Sequence, residues 1–124
     1  MVLAGTPKRK VLVVDDDPSW RQMLALELEE LGYEPVLAAD GAEALRLFGE
    51  IDCSIVLLDL RMPGVDGHEV MERLPLPPEG PRVVILTAAG MDEVQAALHS
   101  RPHYYLPKAA GRDELALMLQ SLAA

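Results

Sequence analysis

Five short, unbroken apolar runs, each followed by a longer stretch with helical spacing, limit this chain to very few folds. The runs are Val11 to Val14, Pro35 to Ala39, Ser54 to Leu58, Val83 to Leu86 and Tyr104 to Leu106. A continuous apolar run of this length, bounded by turn residues, suits a strand buried on both faces, as in a parallel sheet. Between the runs, Trp20, Leu24, Leu28 and Leu31 recur every three or four residues. Asp17 and Pro18 read as the N-cap and first residue of that helix, and Gly32 as its C-terminal stop. Asp40 with Glu43, and Asp66 with Glu69, resemble capping boxes that open a second and a third helix. Gly90 opens a fourth, with Val94, Ala97 and Leu98 inward. Gly111 precedes a fifth, which carries Leu115, Met118, Leu119 and Leu122. The proline-rich stretch from Pro75 to Pro81 reads as a loop.

Five strands alternating with five helices predict an α/β domain, a doubly wound parallel sheet covered on both faces. The 124 residues, half of them apolar, suit one domain with an ordinary core. The division expected is a tail over residues 1–8 and a single domain over 9–124. Cys53 has no cysteine partner and lies in an apolar run, so it reads as a small core residue rather than a redox group.

A formal charge of −9 argues against direct nucleic-acid binding, which rests on basic side chains that neutralise phosphates, and favours cations. The trio Lys8, Arg9 and Lys10 reads as a solvated tail before the first strand. No apolar stretch approaches the roughly 18–20 residues of a membrane span, and the first seven residues lack the apolar stretch of a signal peptide. The expectation is a soluble cytoplasmic protein.

Open parallel sheets bind ligands at the carboxyl ends of their strands. The polar residues at those ends are Asp15, Asp16 and Asp17 after the first run, Asp59 after the third, Thr87 after the fourth and Lys108 after the fifth. Each has an ordinary alternative as a solvated turn residue, and Asp17 has one as a cap. Together they predict a crevice holding carboxylates, a hydroxyl and an ammonium. Clustered carboxylates repel, and either protonation or a bound cation relieves them. A hard oxygen site with few carboxylates suits Mg²⁺. With the metal present, Lys108 and Thr87 would each contact a phosphoryl oxygen, and a carboxylate can serve as the nucleophile.

Val13-Val14-Asp15-Asp16-Asp17, the segment Leu57-Leu58-Asp59-Leu60-Arg61-Met62-Pro63-Gly64-Val65-Asp66-Gly67, Ile85-Leu86-Thr87-Ala88 and Tyr105-Leu106-Pro107-Lys108 together resemble the receiver domain of two-component response regulators. The resemblance covers residues 10 to 122. It implies a flavodoxin-like sheet of order 2-1-3-4-5. It also implies a phosphoacceptor at Asp59, and Mg²⁺ held by Asp15, Asp16, Asp59 and the backbone carbonyl of Arg61. Thr87 and Lys108 would contact the phosphoryl group, and Tyr105 matches the switch aromatic. Arg61 occupies a position that tunes the lifetime of the phosphoryl group.

The implied partners are a histidine kinase or phosphotransfer protein and a downstream effector or output domain. A homodimer could form through the face of helix four, strand five and helix five. On this reading the chain carries no output domain and is not an enzyme beyond promoting its own phosphorylation and dephosphorylation. Two features depart from the family. Ala109 follows Lys108 where the family has proline in a cis bond, which predicts either a strained cis bond or a shifted trans loop. Ser100-Arg101-Pro102-His103 replaces a Gly-Ala turn, which predicts an early end or mobility for helix four.

His68 and His99 read as isolated surface residues, His103 has no ligand spacing around it, and scattered histidines with one cysteine argue against zinc. Trp20 reads as a packing residue and a fluorescent reporter. Three alternatives stand beside the switch. One is a receiver-like interaction module with weakened switching. The others are a carboxylate-nucleophile phosphatase and a flavin carrier, the last disfavoured because Asp15-Asp16-Asp17 would repel a phosphate.

Overall fold

The computed structural model describes residues 8–62, 64, 66–100 and 104–123. In chain order the elements are β1 (Lys10–Val14), α1 (Pro18–Glu30), β2 (Glu34–Ala38), α2 (Gly41–Glu50), β3 (Ile55–Leu58), α3 (Gly67–Arg73), β4 (Arg82–Thr87), α4 (Met91–Ser100), β5 (Tyr104–Pro107) and α5 (Arg112–Ala123). The strands form one parallel sheet in the order β2-β1-β3-β4-β5.

The apolar runs are continuous because alternate residues feed two different cores. Leu12, Val14, Val56, Leu58, Val83 and Ile85 pack against Ala44 of α2, Val70 and Met71 of α3, and Val94 and Ala97 of α4. Val11, Val13, Ile55, Leu57, Val84 and Leu86 pack against Leu24 and Leu28 of α1 and Leu115, Leu119 and Leu122 of α5. Cys53 is buried in the first of these cores with its thiol free.

The caps follow the sequence closely. Asp17 accepts hydrogen bonds from the backbone N–H groups of Ser19 and Trp20, and Pro18 is the first residue of α1. Gly32 takes φ +93° just beyond that helix, a left-handed conformation that costs glycine little. Asp40 and Asp66 accept from the N–H groups of Glu43 and Glu69. The capping boxes are not closed as expected. Glu43 reaches past its cap to accept from the Ala39 N–H, and Glu69 pairs instead with Arg73. Lys10 also differs from the expected tail: it is the first residue of β1 and pairs with Glu34 of β2 at 3.9 Å.

Helix α4 runs to Ser100, while Arg101, Pro102 and His103 lie outside the described residues, as do Pro63, Val65 and residues 1–7. The Lys108–Ala109 bond is trans; among the described residues the only cis bond is Pro77–Pro78. No helix among the described residues is long and apolar enough to cross a membrane.

Candidate phosphoacceptor site

The site stands where the strand order reverses, between β1 and its neighbour β3, the position at which open α/β sheets form a crevice. Val14 of β1 pairs with Leu58 of β3, so the next residues, Asp15 and Asp59, emerge side by side. The backbone fixes them there. The Asp59 N–H donates to the Val14 carbonyl at 3.0 Å, and the Asp15 N–H donates to the Ala38 carbonyl at 3.2 Å. Thr87 ends β4, and the N–H of Lys108 donates to its carbonyl at 3.1 Å, which brings Lys108 to the same edge.

The side chains converge on Asp59, which is buried along with Asp15 and Thr87. Its Oδ1 accepts from Thr87 Oγ1 at 2.7 Å and from the Arg61 N–H at 3.2 Å. Its Oδ2 accepts from Lys108 Nζ at 3.1 Å. Lys108 also forms an ion pair with Asp15 Oδ2 at 2.7 Å, and that buried oxygen has no hydrogen-bond partner. The other Asp15 oxygen accepts from the Asp17 N–H at 2.9 Å.

Burial pushes the Asp15 carboxyl above its ordinary value, and Lys108 and the Asp17 N–H only partly reverse this. For Lys108, burial works downward, but the pairing with the carboxylates of Asp15 and Asp59 outweighs it and holds the ammonium above the usual lysine value. Asp16 is exposed at the rim. Oxygens of Asp15, Asp16 and Asp59 lie within 4.8 Å of one another. That spacing, together with the buried Asp15 oxygen lacking a hydrogen bond, fits a hard, oxygen-ligated divalent cation.

Two features of the loop after β3 shape the pocket. Gly67 starts α3 directly against this loop, and a Cβ there would lie 2.6 Å from Leu60 Cα and closer still to the Asp59 carbonyl oxygen. Arg61 extends outward, its Nε 2.9 Å from Glu93 Oε2 on α4. The other Glu93 oxygen lies 3.3 Å from His68 Nε2 on α3. His68 is therefore not isolated, while His99 is exposed. The Arg61 hydrogen bond is the largest influence holding the Glu93 carboxyl below its ordinary value.

Sequence reasoning did not single out Glu93. Its one signal is acidity in the first turn of α4, which says nothing about a partner 32 residues away. Tyr105 lies half-buried on the core face shared with α2, α3 and α4. A cleft of about 560 Å³ at the opposite edge of the sheet, among Phe48, Cys53, Pro77 and Arg82, holds none of the site groups.

The family model of the response regulator receiver domain matches residues 11–120. The chain belongs to the response regulator receiver domain family.

Curated relatives agree. One is the response regulator MprA of Mycobacterium sp. (strain KMS), 37% identical over 114 residues, which span 91% of this chain and 50% of that protein. A probable transcriptional regulator, ycf27, of Porphyridium aerugineum is 32% identical over 93% of this chain and 48% of its own length. The receiver domain thus spans half or less of these relatives.

Among solved structures, the response regulator protein TrrA of Thermotoga maritima, determined in complex with Mg(2+)-BeF, is 33% identical. It superposes with a TM-score of 0.81 over 92% of this chain and 98% of its own. The chemotaxis protein CheY4 of Vibrio cholerae is 29% identical with a TM-score of 0.80, over 93% and 98% of the two chains. The five parallel strands in the order 2-1-3-4-5 with five helices are the fold of these receiver domains. Domains of this family are the signalling switches of two-component systems.

Proposed function

We propose that Asp59 is the phosphoacceptor of this receiver domain and takes a phosphoryl group from a histidine kinase, a phosphotransfer protein or a small phosphodonor. One observation carries the reading: Thr87 Oγ1 and Lys108 Nζ converge on the two carboxylate oxygens of Asp59, beside the carboxylates of Asp15 and Asp16. A carboxylate oxygen of Asp59 bonds to phosphorus as the bond from phosphorus to the donor breaks, and the leaving group departs with that electron pair. Thr87 and Lys108 are one hydrogen bond from Asp59 already, so each can turn to a phosphoryl oxygen with little movement.

Asp15, Asp16 and Asp59, with the backbone carbonyl of Arg61, would hold Mg²⁺. The Arg61 N–H that donates to Asp59 keeps that backbone against the site. Bound there, Mg²⁺ would neutralise the carboxylates and offset charge on the phosphoryl group. The trans Lys108–Ala109 bond leaves Lys108 in reach of both buried carboxylates, which supports a working switch over an interaction module that has lost it.

Movement of Thr87 toward the phosphoryl group would vacate space beside Tyr105, whose half-buried ring adjoins the α4 core. The surface of α4, β5 and α5 would then signal to an output domain or effector, or to a second copy of the chain. We further propose that residues 9–124 act as one domain after a tail over residues 1–8. In this reading the domain works in the cytoplasm and catalyses only its own phosphorylation and dephosphorylation.

The test is mass spectrometry after acetyl phosphate treatment, with and without Mg²⁺, on the wild type and Asp59→Ala. One phosphoryl group gained by the wild type with Mg²⁺, and none by the variant, is the expected result. A gain that survives Asp59→Ala contradicts the assignment.

A further inference from the structure

Trp20 has no part in the chemistry assigned above, yet its ring lies under the Lys108 ammonium, with Nζ 5.0 Å from the ring centroid. That distance is within the range of a cation–π contact. Two hydrogen bonds fix the start of α1, and with it the backbone of Trp20, relative to the site. The Asp17 backbone N–H donates to Asp15 Oδ1 at 2.9 Å, and Asp17 Oδ1 in turn accepts from the Trp20 backbone N–H at 3.3 Å. The Trp20 indole nitrogen is buried and has no hydrogen-bond partner. A buried indole N–H usually finds an acceptor, so the ring is not oriented by a hydrogen bond of its own. It packs against the apolar core beneath α1 and α5 and faces the Lys108 ammonium. Trp20, Leu24, Leu86, Leu106 and Leu115 line a hollow of about 210 Å³ together with Lys108.

We infer that Trp20 is a positioning residue for Lys108, holding the ammonium at the phosphoryl-transfer site by its ring face; this rests on the reading of Asp59 as phosphoacceptor. Lysine is a compact charge on a flexible four-carbon stem, so its direction must be imposed from outside. Before transfer, Asp15 and Asp59 impose it. Once Asp59 carries a phosphoryl group, the negative charge on that side moves outward to the phosphoryl oxygens, and one of the two anchors has changed. The Asp15 anchor remains but would be shared with Mg²⁺, so the ring face is the contact that neither metal nor transfer draws on. It keeps the ammonium from swinging into the adjoining hollow and keeps it directed toward the phosphoryl oxygens.

The test is a double-mutant cycle of Trp20→Leu and Lys108→Met, with Trp20→Phe as the conservative variant. The readout is the rate at which Asp59 takes up phosphoryl from acetyl phosphate at saturating Mg²⁺. Trp20→Leu is expected to be about fivefold slower, Trp20→Phe recovers most of that loss, and Trp20→Leu adds nothing in the Lys108→Met background. A second readout needs no change at Trp20. Because the chain has one tryptophan, Lys108→Met alone should change its emission. Uptake by Trp20→Leu at the wild-type rate, a Trp20→Leu loss that persists without Lys108, or unaltered emission in Lys108→Met overturns the inference while leaving Asp59 as phosphoacceptor. A wild type that takes up no phosphoryl group overturns both.

Discussion

The carboxylate of Asp15, from the end of β1, and the ammonium of Lys108, from the end of β5, meet at 2.7 Å. Lys108 also reaches Asp59 at 3.1 Å, so it serves as the internal cation of a site that gathers three carboxylates. A divalent cation entering that site must share Asp15 and Asp59 with it. Replacing Lys108 by Met removes the competing charge. With screening at a partly open site, the gain is about 1 kcal/mol, or roughly fivefold tighter Mg²⁺ binding. Calorimetric titration of the wild type and Lys108→Met checks this. Equal or weaker Mg²⁺ binding by the variant would mean that Lys108 does not compete with the metal.

Two glycines give opposite predictions. At Gly67 a Cβ would lie 2.6 Å from Leu60 Cα, with the backbone of Asp59 nearer still. No flexible side chain is available to yield, so Gly67→Ala should destabilise the fold by roughly 1–3 kcal/mol and slow phosphoryl uptake by displacing the loop that carries Asp59. At Gly49, within α2, a Cβ would meet nothing within 4 Å. Gly49→Ala should therefore stabilise by roughly 0.5–1 kcal/mol, the difference in helix propensity. Denaturant unfolding of the two variants beside the wild type settles both, and a Gly67→Ala variant as stable as the wild type refutes the close-packing argument.

Much of this was legible in the sequence because the physics behind it is local or repetitive. Val11 to Val14 could be unbroken only if both faces of the strand were covered, and residues 55–58 and 83–86 repeat that demand. A parallel sheet then sends every strand's last residue to one edge, which is why Asp15, Asp59, Thr87 and Lys108 could be grouped before any distance was known.

Contacts that depend on how distant helices settle were not legible. Glu93 bridges Arg61 and His68 only because α4 packs beside the loop after β3. Trp20 looked like a packing residue, and it does pack; that its face lies under Lys108 depends on where the β5–α5 turn comes to rest. That turn was itself ambiguous, since the sequence allowed a cis or a trans bond before Ala109 and the structure has it trans.

The bridge at Glu93 predicts a titration. The Arg61 hydrogen bond first, and His68 to a lesser degree, hold the Glu93 carboxyl below its ordinary value. A lowered carboxyl value in the folded state contributes stability that is present above the ordinary value and is lost as pH falls through the lowered one. Arg61 is largely exposed, so the contribution is small, below about 1 kcal/mol, and the direct observable is the carboxyl itself. An NMR titration of Glu93 should give a higher midpoint in Arg61→Ala than in the wild type. Coincident midpoints would show that Arg61 does not govern that carboxyl.

Cys53 predicts a second pH dependence, at the alkaline end. Burial, and then the neighbouring Asp52 charge, push its thiol up to about 11, from an ordinary value of 9.0. As pH rises past 9.0 the unfolded chain releases this proton while the folded chain keeps it, so ionisation draws the equilibrium toward the unfolded state. The thiol's contribution is fully present below pH 9.0, declines across the interval to about 11, and changes no further beyond it. Over that interval the loss amounts to about 2 kcal/mol. Lysines and tyrosines titrate in the same range, and comparison with Cys53→Ala cancels them, because only the thiol differs. Removing a buried sulfur also leaves a small void, so the wild type should be the more stable at pH 8, and its advantage should shrink by about 2 kcal/mol by pH 11. If urea unfolding of the two proteins gives stability curves that run parallel from pH 8 to 11, the thiol ionises as readily in the folded chain as in the unfolded one, and the burial argument fails.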